Sequence, residues 1–143
     1  MTEALKARLR ALHPDPLAPD DAEAILAIAQ LVVDIDGREG PDEIKLFFAL
    51  GKLLFEMAGA PDTAIPTFAS DEDDEERMFE LATQLKGPPA RELTYAIARM
   101  LASADLDVAP EEDTFVDRLR GILSLSRERA DAITAQIRDL PAA

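Results

Sequence analysis

The chain has no cysteine and no tryptophan, and only one histidine, His13. Without cysteine, disulfides and thiolate metal centres are excluded. One imidazole cannot by itself build a histidine metal site. Aromatic residues make up 5% of the 143 residues. A chain this poor in rings, and rich in Ala and Leu, is poorly suited to strands and well suited to helices. Basic residues are also scarce, 15 against 29 acidic ones, giving a net charge of -14. Such a field repels nucleic acid and anionic lipid, which bind to cationic footprints. It attracts cations and basic protein surfaces. No apolar run reaches the ~20 residues of a membrane span; the longest, 24–33, is interrupted by Gln30. Residues 1–12 carry Lys6, Arg8 and Arg10 but no apolar stretch of the signal-peptide kind. The expectation is a cytoplasmic protein with no direct membrane insertion and no nucleic-acid partner.

What is present is a hydrophobic content of 48%, enough for a single domain over 1–143 with a real core. Leu5, Leu9 and Leu12 recur at helical spacing and predict a helix over 2–12, ended by His13-Pro14-Asp15-Pro16. His13 then reads as a solvated loop residue. Asp20, with Glu23 three residues on, predicts a capped helix start. From 24 to 33 the chain is apolar on almost every side, so this helix should be buried. Pro41 opens the next helix, lined by Ile44, Phe47, Phe48, Leu50, Leu53, Leu54 and Met57 and ended by Gly59-Ala60-Pro61. Ser70 is placed to cap a fourth helix whose start is strongly acidic, with seven acids between Asp71 and Glu80. Its stripe is Met78, Leu81, Ala82 and Leu85. Gly87-Pro88-Pro89 breaks the chain.

The second half echoes the first. A second apolar helix over 93–104 matches 24–35, with Leu26 against Tyr95, Ile28 against Ile97 and Leu31 against Met100. After Pro110 a stripe of Phe115, Val116, Leu119, Ile122 and Leu123 matches the earlier one in part. Ser126 caps a last helix with Ala130, Ile133, Ile137 and Leu140 inward. The fold predicted is all-α, about seven helices. Its centre is two helical hairpins related by internal duplication, over about 22–58 and 91–125.

Each hairpin turns at an acidic motif. The first reads Asp36-Gly37-Arg38-Glu39-Gly40-Pro41-Asp42-Glu43 and the second Asp105-Leu106-Asp107-Val108-Ala109-Pro110-Glu111-Glu112. Asp36 and Asp105 come after a buried helix, where the helix dipole disfavours an anion; Asp34 and Asp107 add to the charge. Carboxylates and backbone carbonyls gathered in this way are the ligand set of a hard cation, Ca²⁺ or Mg²⁺. The candidate metal ligands are therefore Asp36, Glu43, Asp105 and Glu112. The competing reading is helix capping. Gly37 terminates one helix in the left-handed conformation. Pro41-Asp42-Glu43 and Pro110-Glu111-Glu112 are then first-turn residues, with Glu43 and Glu112 folded onto the helix start. An EF-hand loop fits less well: Asp34, Asp36, Gly37 and Glu43 match its later positions, but Val32 stands at the first ligand position and Pro41 interrupts the loop. The run 71–76 is a solvated helix start or a docking patch for a basic partner. No Ser/His/Asp arrangement, Gly-rich phosphate loop or zinc spacing occurs, and no enzyme activity is expected.

The two motifs, with the closing Ile122-Leu123-Ser124-Leu125-Ser126, resemble the TerB-like family, named for tellurite resistance. Its pattern is an apolar helix, a segment of the type Ala-Asp-Gly-x-Ile-x-Pro-x-Glu, and an amphipathic helix, present twice. Its closing segment is Leu-Gly-Leu-Ser. The resemblance runs from about 22 to 140. It implies an all-helical fold of about seven helices with the acidic motifs close together near a pseudo-twofold axis. It also implies an association with chemical stress, proposed metal binding and membrane-associated complexes. Asp36, Glu43, Asp105 and Glu112 occupy the family's acidic positions. This chain has Glu39 where an apolar residue is usual and Leu106 where glycine is usual.

Overall fold

A computed structural model of the chain describes residues 3–34, 41–59, 74–85, 87–102 and 110–138. They form seven helices: α1 (Glu3–Leu12), α2 (Pro19–Asp34), α3 (Pro41–Met57), α4 (Asp74–Gln84), α5 (Pro88–Ala102), α6 (Pro110–Ile122) and α7 (Arg127–Arg138). No strand occurs among the described residues. The all-α expectation holds.

Helices α2 and α5 form the centre. They pack on one another; α2 is covered by α3, α4 and α6, and α5 by α1, α3, α6 and α7. Their sequences explain this. In α2, Ala24 to Ala29, Leu31 and Val32 are all buried; in α5, Leu93 to Ala98, Met100 and Leu101 are all buried. A helix apolar around its whole circumference has no face to give to water. The alanines among these residues let neighbouring axes approach closely. The Thr94 side chain, polar and buried in this zone, donates its hydroxyl to the Ala90 carbonyl at 2.7 Å, which satisfies it within its own helix. The sequence pairs Leu26/Tyr95, Ile28/Ile97 and Leu31/Met100 are buried in both members.

The outer helices are amphipathic and bury single stripes: Leu9 in α1, Leu50, Leu53 and Leu54 in α3, Met78, Leu81 and Ala82 in α4, Phe115, Val116 and Leu119 in α6, and Ala130 and Ile133 in α7. Polar links tie them down. The Leu17 amide donates to the Met57 carbonyl at 3.0 Å. Arg91 Nε donates to the Leu85 carbonyl at 2.7 Å, just past the end of α4. Arg129 pairs with Glu92, joining α7 to α5. The Ser126 hydroxyl accepts the Arg129 amide at 3.1 Å, the expected N-cap of α7.

Three local expectations change. Asp20 is not the cap of α2, because that helix opens at Pro19, with Asp20 and Asp21 in its first turn. Proline at the first helical position loses nothing, since its missing N–H has no intrahelical partner there. For the same reason Pro88 and Pro89 begin α5 instead of breaking the chain, and α5 starts five residues earlier than its apolar run suggests. Phe48 does not line the core. It is 46% exposed while Phe47 is 6% exposed; adjacent residues stand about 100° apart on a helix, so only one ring faces inward. The Ser70 cap and Leu140 lie outside the described residues.

Candidate functional site

In the sequence the acidic motifs follow α2 and α5 and run into the starts of α3 and α6. Helix α2 ends at Asp34 with no basic residue in its last turn. A carboxylate there adds to the negative end of the helix dipole. Helix α5 ends at Ala102 and carries Arg99 in its last turn. Helices α3 and α6 both open on proline, Pro41 and Pro110, with Glu43 and Glu112 as their third residues. Pro19 and Pro88, which open α2 and α5, are separated by the same number of residues as Pro41 and Pro110. Because α2 packs on α5, α3 on both, and α6 on both, these four helices form one core.

Asp36 and Asp105 lie outside the described residues, as do the side chains of Glu43 and Glu112. The backbone places both glutamates in the first turn of a helix, where a carboxylate is favoured by the dipole and by free backbone N–H groups. That position suits either a capping role or a ligand role. Among the described residues no three or more His, Asp or Glu side chains converge as a metal site.

Other polar residues singled out in the sequence have plain structural roles. His13 Nδ1–H donates to the Asp15 carbonyl at 2.8 Å, holding the turn after α1. Of the acidic run, Asp74, Glu75 and Glu76 open α4; 71–73 lie outside the described residues.

The spacing of motifs did not reveal the polar pair on α5. An Arg99 terminal nitrogen donates to the Tyr95 hydroxyl at 3.1 Å, and the guanidinium lies 5.7 Å from the Tyr95 ring centroid. An arginine four residues after a tyrosine on a helix was the available signal. The closing segment also holds a backbone feature. Ser124 adopts φ 61°, and the amides of Ser124 and Leu125 donate to the carbonyls of Gly121 and Arg120, both at 3.1 Å. This is a Schellman ending, in which Ser124 holds the position where the family pattern has glycine. Arg120 donates to the Leu125 carbonyl at 2.9 Å and so locks the same turn.

No match was found among curated proteins or among solved structures. A family model described as "Tellurite resistance protein TerB" matches residues 22–135. That span takes in most of α2, all of α3 to α6 and most of α7, including both acidic motifs. The chain therefore belongs to the TerB family.

Proposed function

We propose that the protein is a non-enzymatic, stress-associated module of the tellurite-resistance type that binds a divalent cation, Ca²⁺ or Mg²⁺, weakly through Asp36, Glu43, Asp105 and Glu112. The observation that carries this reading is the repeated junction. In both hairpins a buried helix runs into an acidic segment and a proline-started helix whose third residue is glutamate. Capping accounts for Glu43 and Glu112. It does not account for carboxylates gathered after the C-terminal ends of α2 and α5, where exposed carbonyls are already partly negative. A hard cation is stabilised by both groups at once. The net charge of -14 further raises the local cation concentration.

A second reading keeps the family assignment and removes the metal. The acidic motifs are then helix ends, and the protein docks a basic partner or a membrane-associated complex through its acidic surface, in the cytoplasm. The first-turn positions of Glu43 and Glu112 favour it.

Thermal unfolding with and without millimolar Ca²⁺, Mg²⁺ or Mn²⁺ separates the two. A cation at ~100 times its dissociation constant adds ~2.7 kcal/mol of stability. The expected result is a shift that disappears in Asp36→Asn/Asp105→Asn. An equal shift in that variant, or none in the parent, sinks the cation reading.

A further inference from the structure

Two large apolar side chains stand in solvent among the described residues, Phe48 on α3 at 46% exposure and Phe79 on α4 at 57%. Their surroundings carry opposite charge. On α3, Lys45 and Lys52 lie three residues before and four after Phe48, so all three share one helix face. Both lysines are exposed, and neither has a carboxylate partner among the described residues. On α4, Glu76 lies three residues before Phe79, Glu80 next to it and Thr83 four after, all exposed. Arg77 stands about 200° around the helix from Phe79 and is half-buried. One face is thus a phenyl ring between two ammonium groups, and the other a phenyl ring beside two carboxylates.

We propose that these faces are complementary and that the α3 face of one copy docks on the α4 face of a second copy. Ring meets ring, Lys45 and Lys52 meet Glu76 and Glu80, and a twofold arrangement makes the contact twice. Charge identifies the occupant. An acidic chain offers few cationic surfaces, and this one sets two lysines around its exposed α3 ring. The matching feature, an exposed ring among carboxylates, is present on the same molecule. The net charge of -14 opposes association at long range. At 0.15 M ionic strength that repulsion falls off over ~8 Å, while charge pairs in contact and partly buried are screened less. The contact patch is small, so the association is weak and reversible. It is independent of any cation at the acidic junctions.

Sedimentation equilibrium at 0.15 M salt, loaded up to about 1 mM, tests this. The parent is expected to self-associate. Phe48→Ser, Phe79→Ser, the reversal Lys45→Glu/Lys52→Glu and the reversal Glu76→Lys/Glu80→Lys are each expected to weaken association about tenfold or more, as for loss of an interface anchor. The two reversal variants are expected to associate when mixed, because every facing pair again has opposite charge. All four positions or pairs are exposed, and helical circular dichroism checks that each variant is folded; if a reversal variant is not, the two serine variants carry the test. A parent that stays monomeric overturns the proposal. So do serine variants that associate like the parent, and folded reversal variants that do not associate with one another.

Discussion

Gln30 on α2 and Arg99 on α5 occupy matching positions in the two buried helices. Each is the one half-buried residue in a run that is otherwise buried, 24–32 in α2 and 93–101 in α5. Both engage neighbouring groups. The match extends residue by residue along both runs, so the two helices share a burial pattern as well as a sequence pattern.

The contacts of Arg99 set the first prediction. Its hydrogen bond to the Tyr95 hydroxyl and its position over the ring hold a cation beside the core. Hydrogen bonds to charged groups contribute about 1.5–3 kcal/mol, and a partly desolvated cation–π contact about 1–2 kcal/mol. The two contributions overlap because they use one side chain. Arg99→Ala should lower the unfolding free energy by about 2 kcal/mol in urea titration. Arg99→Gln installs the residue that α2 carries at this position and should recover part of the loss. A glutamine variant as unstable as the alanine variant argues against equivalence of the two positions.

Ser124 gives the second. A non-glycine residue in the left-handed region costs about 1–2 kcal/mol, and Ser124 sits there at φ 61°. Glycine adopts that conformation without the Cβ penalty. Ser124→Gly should therefore raise stability by up to about 1 kcal/mol, once the greater freedom of glycine in the unfolded chain is counted. For a chain of this size that is about 2–4 °C in the thermal midpoint. Ser124→Val should move the midpoint the other way, because a β-branched side chain tolerates φ above zero least.

The third concerns the centre. Ile28 and Ile97 are 0% and 1% exposed at matching positions. Truncating either to alanine should cost about 2–5 kcal/mol by lost burial and an unfilled cavity. Ile28→Val and Ile97→Val should cost about 0.5–1.5 kcal/mol each. Costs of similar size at the two positions are expected, since each lies in a helix covered on all sides. Chemical denaturation of the four variants reads this directly.

The centre was legible in the sequence because full burial leaves a continuous apolar run, and no amphipathic helix imitates that. The outer helices were legible from single stripes such as Met78, Leu81, Ala82 and Leu85. The misreadings were local. Pro19 and Pro88 act as helix starts, yet proline signals both a start and a break, and the residues after it decide between them. Phe47 and Phe48 are chemically identical neighbours, and the rotation of α3 against α2 decides which is buried. The acidic residues were placed at helix ends correctly where the backbone is described, at Asp34, Glu43 and Glu112. Convergence of carboxylates from two hairpins depends on how those hairpins are rotated and shifted against each other. Spacing along one chain does not encode that geometry.

The net charge of -14 bears on how the cation reading is measured, and gives the last prediction. Like charges crowded on a folded chain repel, and salt relieves the repulsion by shortening its range. The thermal midpoint should therefore rise with NaCl alone, with no site involved. A divalent salt at matched ionic strength supplies comparable screening plus whatever a site adds. The test is a difference: the midpoint in MgCl₂ or CaCl₂ minus that in NaCl at equal ionic strength, for the parent and for Asp36→Asn/Asp105→Asn. Two fewer negative charges raise the variant's midpoint in low salt and reduce its response to NaCl. A cation held by the acidic junctions gives the parent an excess that saturates at millimolar divalent concentration and is absent from the variant. Screening alone gives equal curves for the two salts in both proteins. That outcome would leave the acidic junctions as helix ends and favour the metal-free reading.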